Sequence, residues 1–179
     1  MLELHFELTK EDYLNFQLYA ASHNPRIKKQ RLRGRIFASL LFLIFGITTL
    51  VIDSFLKYIY FSATIFVFFL YPLYTKWFYK RHFRKYVEQT FDPDNDSITL
   101  LFSDSALEAK DKKATSSMKL QDLLSFTETS DYFYLQVNKA VYFILPKERV
   151  PAEEVRIYLQ DRSKALNIPY KEELDWKWK

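Results

Sequence analysis

The 179 residues include no cysteine, 2 glycines, 6 prolines and 3 histidines. The missing cysteine excludes disulfides, thiolate zinc sites, iron–sulfur clusters and cysteine-linked lipids, and two glycines leave almost no room for a Gly-rich phosphate loop. A net charge of +4 with 27% charged residues suggests a soluble basic protein, but the averages mislead: of the 33 aromatic residues, 17 fall between Ile36 and Tyr86.

Residues 1–35 read as a cytoplasmic strand, helix and basic linker. Leu2, Leu4, Phe6 and Leu8 alternate with Glu3, His5 and Glu7, the pattern of a half-buried strand. Thr9 is placed to cap a helix whose first turn holds Glu11 and Asp12, acids that complement the helix dipole. Asn24-Pro25 ends that helix. The stretch from Arg26 to Arg35 is expected to run on as helix toward the segment that follows.

Residues 36–52 and 58–75 carry no ionisable side chain other than tyrosine hydroxyls. A helix of 17 residues spans about 26 Å, near the short end of what a bilayer core requires. A soluble helix keeps a polar stripe. Here Ser39, Thr48, Thr49, Ser62 and Thr64 can bond back to their own helix, and strands of such length would be exceptional. The pattern predicts two transmembrane helices over 36–75, joined by the five residues Asp53–Lys57. The first begins too far along the chain, and is too long, for a signal peptide. Neither span has an intramembrane charge of the kind that marks ion pathways. Gly46 and Pro72 are the special backbone positions, and Gly46 has no small residue four away on either side.

Arg26, Lys28, Lys29, Arg31, Arg33 and Arg35 precede the first span, and Lys76, Lys80, Arg81, Arg84 and Lys85 follow the second. Cations stay on the cytoplasmic side, so the expectation is an integral plasma (inner) membrane protein with both termini cytoplasmic. Without these 11 cations the chain has 15 cations against 22 acids, a net charge of −7. The high isoelectric point is therefore a juxtamembrane feature, and no nucleic-acid partner is expected. The expected partners are membrane lipids, with a protein partner or a homo-oligomer besides. Cations beside an anionic leaflet contribute about 1 kcal/mol each. Arg26, Lys28, Lys29, Arg31, Lys80, Arg81, Arg84 and Lys85 are the candidate anionic-lipid contacts, and Trp176 and Trp178 are candidates to dip into the same interface. Setting topology alone is the simpler role for these charges, and a docked edge strand or a loose tail the simpler role for the tryptophans.

Residues 76–96 form a basic exit helix and a turn at Phe91–Asp96. From Ser97 the periodicity becomes that of strands, about six up to Pro146. The last two, around Tyr132–Tyr134 and Phe143–Pro146, read as a hairpin turning near Asn138 and Lys139. Pro151 and two glutamates open a terminal helix, with Val155, Tyr158, Leu159 and Leu166 as its apolar face. The first strand could add to this sheet, making the hairpin an insertion. Residues 167–179 read as a polar tail.

Asp12-Tyr13, the hairpin, and the stretch Leu107–Val150 with MKLQDLLSF (Met118–Phe126), Tyr132–Tyr134 and Phe143–Lys147 together resemble the YcxB-like membrane proteins. The match in Met118–Phe126 is partial, with Leu120 and Leu123 in the apolar places. The resemblance implies an α+β membrane protein: a two-helix transmembrane hairpin with a small cytoplasmic pleckstrin-homology-like β domain (97–166) and C-terminal helix. It implies no catalytic residue.

The candidates for chemistry are few. His5, His23 and His82 lack metal-ligand spacing. Asp92, Asp94 and Asp96 alternate as in a calcium loop but lack its Gly and its terminal Glu. Ser103, Ser105, Thr115, Ser116 and Ser117 lie in no nucleophile elbow. No enzyme activity, cofactor or metal is expected. The reading is a membrane-anchored binding or scaffold module, with a subunit of an oligomeric membrane complex as the alternative.

Overall fold

The computed structural model describes residues 2–51, 55–92, 97–111, 115–138 and 141–179. They fall into two compact units: residues 1–13 with 88–177, and residues 14–87 with Trp178 and Lys179.

The first unit is built on two four-stranded sheets. β1 (Leu2–Glu7), β2 (Ser97–Phe102), β3 (Ala106–Lys110) and β4 (Thr115–Lys119) are neighbours in that order. β1 lies antiparallel to β2, from Leu2 opposite Phe102 to Glu7 opposite Ser97. The N-terminal strand therefore does join the later β segment. The alternation read from the sequence holds, with Leu4 and Phe6 buried and Glu3, His5 and Glu7 exposed.

The second sheet contains β5 (Ser125–Thr129), β6 (Tyr132–Gln136), β7 (Tyr142–Pro146) and β8 (Tyr170–Glu173), in the order β7-β6-β5-β8. β6 pairs antiparallel with β5 and β7, whereas β8 runs parallel to β5. A parallel neighbour needs a crossover, which the helix α4 (Ala152–Leu166) supplies. Every residue of β5 and the first four of β6 are buried, so these central strands are covered on both faces. Lys139, where the β6–β7 turn was expected, lies outside the described residues, as do Asp94 and Asp96.

β8 corrects the reading of 167–179 as a tail. Its sequence, YKEE, is too short and too polar to announce a strand. What makes it one is the stop before it. Asn167 takes a left-handed conformation at φ 55°, which Asn tolerates better than most residues. Ser163 then donates its hydroxyl to the Ile168 carbonyl at 2.6 Å, and the chain turns back along β5.

The Thr9 cap forms as expected, as a capping box. Asp12 N–H donates to Thr9 Oγ1 at 3.4 Å, and Thr9 N–H donates to Asp12 Oδ2 at 2.7 Å. This starts α1 (Lys10–His23).

In the second unit, α2 runs from Pro25 to Leu50 and α3 from Leu56 to Thr90. Asn24 caps α2 by accepting from Arg26 N–H at 2.9 Å, with Pro25 at the first helical position. Both helices outrun the expected spans because the basic flanks are helical too. Lys57, expected in the loop, lies in the first turn of α3; Asp53 lies outside the described residues. α2 and α3 are long and apolar enough to cross a membrane, and their most apolar windows are only 17% and 0% buried. A core helix of a soluble protein would bury that surface. Here Phe37, Phe66, Phe69 and Leu73 point outward, each more than 60% exposed.

The two helices are antiparallel neighbours. Phe45 stacks on Tyr60 at 5.7 Å between ring centroids. The chain's two glycines both lie at this contact. A Cβ on Gly46 would meet the Phe61 ring at 3.4 Å, an ordinary contact, whereas a Cβ on Gly34 would lie 2.0 Å from the Tyr71 hydroxyl oxygen. Thr48, Thr49 and Thr64 bond back to their own helices as expected, whereas the buried Ser39 hydroxyl does not and has no hydrogen-bond partner among the described residues.

Candidate functional site

The six cations of α2 divide into two stripes. Arg26, Lys29 and Arg33 follow at intervals of three and four, as do Lys28, Arg31 and Arg35, and such spacing places each set along one side of a helix. Tyr71 of α3 stands between the sets. With Arg26, Lys29, Gln30, Arg33, Gly34 and Phe37 it lines a concavity of about 630 Å³. With Lys28, Arg31, Leu32, Arg35, Pro72 and Thr75 it lines another of about 250 Å³.

The smaller concavity is largely committed to the protein's own acceptors. Pro72 has no N–H, so its helix leaves the carbonyl of residue 68 without its usual partner. Arg35 Nε donates to that Phe68 carbonyl at 2.8 Å, and its guanidinium lies 3.8 Å from the centroid of the Phe68 ring. Arg31 donates to the Lys179 main-chain oxygen at 2.8 Å and lies over the Trp178 ring. Trp178 donates its indole N–H to the Lys76 carbonyl at 3.1 Å and packs edge-on to Tyr79. Trp178 is thus held by the helical unit, at only 9% exposure.

The larger concavity is different. No acidic side chain among the described residues pairs with Arg26, Lys29 or Arg33, and no acceptor is engaged by their side chains. Of the eight cations expected to contact lipid, Arg26 and Lys29 line this concavity and Lys28 and Arg31 the other. Lys80, Arg81, Arg84 and Lys85 line neither. They are exposed along α3, with Arg81 over the Trp77 ring.

The β unit holds two buried carboxylates that sequence reading missed. Glu128 on β5 is 2% exposed. Lys147 Nζ donates to it at 2.7 Å, Arg156 Nε at 2.9 Å and the Tyr170 hydroxyl at 2.5 Å. Burial by itself would raise its pKa, but hydrogen bonds from Arg156, Lys147 and Tyr170 outweigh that and bring it from 4.5 to about 2. The same contacts, with Glu153, raise the pKa of Arg156, and burial followed by Glu128 raises that of Tyr170. Asp12 is likewise buried. It accepts from Tyr132 at 3.0 Å, Arg149 at 2.5 Å and the Thr9 hydroxyl at 2.7 Å. Here too burial opposes ionisation, and the bonds from Thr9, Arg149 and Tyr132 prevail, lowering the pKa. Every partner of each carboxylate is a donor already bonded to it, which is the arrangement of a structural tie. One tie joins β5, the turn that follows β7, α4 and β8; the other joins the start of α1 to β6 and to Arg149, which also donates to the Glu7 carbonyl.

The remaining sequence candidates have local roles. His5 bonds Thr99 across β1 and β2 at 2.9 Å. His23 lies 3.0 Å from the Tyr19 carbonyl, and His82 stacks on Phe78. Ser103 bonds Ala106 twice and shapes the β2–β3 turn. Among the described residues no three His, Asp or Glu side chains are grouped to hold a metal.

Residues 102–160 match the protein family described as YcxB-like protein. The resemblance read from Leu107–Val150 is therefore borne out over a stretch from the end of β2 into α4. No curated protein and no solved structure matches the chain.

Proposed function

We propose, taking residues 102–160 as a YcxB-like domain, that the β unit is a cytoplasmic binding module anchored by α2 and α3 inserted as a transmembrane hairpin. The observation that carries this reading is the exposed apolar surface of two helices whose central segments hold no charge and whose cations collect at the hairpin's open end. Charges at a bilayer midplane cost several kcal/mol, and cations favour the cytoplasmic side. The pairing of β1 with β2 supports the same topology. Strands before and after the helices share one sheet, a pairing that favours a hairpin with both chain ends on one side of the bilayer. The two four-stranded sheets with α4 support a pleckstrin-homology-like architecture, and the absence of cysteine makes the topology directly testable. In sealed cells, K57C should react with a membrane-impermeant maleimide, whereas E88C and K171C should react only after permeabilisation. Labelling of K171C in sealed cells, or release of the protein from membranes by alkaline carbonate, would overturn the reading.

A further inference from the structure

We propose that the concavity lined by Arg26, Lys29, Arg33, Gly34, Phe37 and Tyr71 binds the phosphate of an anionic phospholipid, one lipid per hairpin. The inference rests on the membrane reading above and narrows it to one site. Three observations carry it. The three cations share one stripe of α2 with no protein acceptor, whereas two of the three on the neighbouring stripe are engaged by main-chain carbonyls and aromatic rings. Guanidinium groups match phosphate oxygens in geometry, and a cluster of three cations with no neutralising acid among the described residues favours an anionic oxygen group. The same stripe continues one turn below Arg33 to Phe37, which is 65% exposed. A ligand lying here therefore meets cations at one end and an aromatic face at the other, as a headgroup followed by an acyl chain would. The space of about 630 Å³ is of the size that takes a small-molecule group.

Tyr71 supplies a hydroxyl donor to the site. Its ring fills the gap that Gly34 leaves open, and its hydroxyl has no hydrogen-bond partner among the described residues. That donor lines the same concavity as the three cations. A Cβ at position 34 would lie 2.0 Å from the Tyr71 hydroxyl oxygen, so a larger residue there would have to displace that hydroxyl.

The purified full chain in neutral detergent is titrated with short-chain phosphatidylglycerol, short-chain phosphatidylcholine and inorganic phosphate, and bound ligand is counted by native mass spectrometry. Saturable binding of one phosphatidylglycerol is expected, with phosphatidylcholine much weaker. K29Q/R33Q should weaken it roughly 10- to 30-fold, from about one leaflet-type contact per cation. K80Q/K85Q, with the same charge change on α3, should weaken it no more than about three-fold. Y71F should weaken it while leaving thermal unfolding unchanged, and this separates a ligand contact from a packing role. Equal losses from the two charge pairs would reveal a diffuse basic field and overturn the site. Phosphatidylcholine bound as well as phosphatidylglycerol would do the same, and inorganic phosphate bound as well as the lipid would overturn the lipid as its ligand. These readouts need no bilayer, so their failure with the maleimide pattern intact would sink the site and leave the topology standing.

Discussion

Replacing Glu128 with Gln keeps the side chain's volume and removes its charge. Lys147 and Arg156 both donate to Oε1 and would face a neutral carbonyl oxygen in place of a carboxylate, while Tyr170, which donates to Oε2, would meet an NH2 that cannot accept. The cost can be worked in two ways. A folded pKa of about 2 against an ordinary 4.5 corresponds to about 3 kcal/mol at neutral pH, at 1.36 kcal/mol per unit. Breaking a buried ion pair from one side costs about 3–5 kcal/mol, which agrees. The sign with pH follows from the direction of the shift. The folded pKa is depressed, so the contribution is complete above 4.5 and is lost as pH falls toward 2. Urea unfolding of the full chain in neutral detergent, followed by circular dichroism, should give a wild-type advantage over E128Q of about 3 kcal/mol at pH 7. That advantage should shrink below pH 4.5 and nearly vanish near pH 2. Amide exchange should speed first at Tyr170–Glu173, since Tyr170 ties β8 to the cluster. A difference below about 1 kcal/mol at pH 7, or one that ignores pH, would refute the assignment of Glu128 as the tie.

Three further outcomes are expected. G46A should be tolerated in thermal unfolding of the detergent-solubilised chain, because the new methyl meets ordinary contacts and alanine favours helix by about 1 kcal/mol; G34A should destabilise, and G34A/Y71F should recover part of the loss by removing the hydroxyl in the way. R35Q should cost about 1.5–3 kcal/mol as a lost charged hydrogen bond, but much less in a P72A background, where an N–H returns to the Phe68 carbonyl; a cycle with no coupling would show that Arg35 does not cap that carbonyl. D12N should destabilise the full chain at pH 7 by about 1–3 kcal/mol and, because the Asp12 pKa is lowered on folding, its deficit should narrow as pH drops below the ordinary carboxylate range; urea midpoints at pH 7 and pH 3 check it.

The elements that could be read from the sequence are those written in local patterns. The two long apolar helices lack charges through their centres, Thr9 and Asp12 have capping spacing, and β1 alternates cleanly. Pro72 and Gly46 were recognisable as backbone exceptions for the same reason. Gly34 was hidden among arginines, and its meaning depends on Tyr71, 37 residues away. Glu128 sits in SFTET, where a charged residue in strand alternation ordinarily faces water. Only the arrival of Lys147, Arg156 and Tyr170 from three later elements turns it inward, and no local pattern encodes that. The basic residues were visible as a cluster, but their division into a committed and an uncommitted stripe follows from Pro72 and Trp178 meeting one side only.

The antiparallel register of Leu2 with Phe102 also has a consequence during synthesis. At about 5–20 residues per second, roughly 5 to 20 s separate the emergence of Glu7 from that of Ser97. Throughout that interval β1 is a finished amphipathic strand with no partner, and both apolar helices are made while it waits. The ribosome therefore delivers the hairpin before the first sheet can close. Under the proposed transmembrane topology, a chain whose helices came to rest with their outer ends on opposite sides of the bilayer would hold β1 and β2 apart and leave both strand edges unpaired.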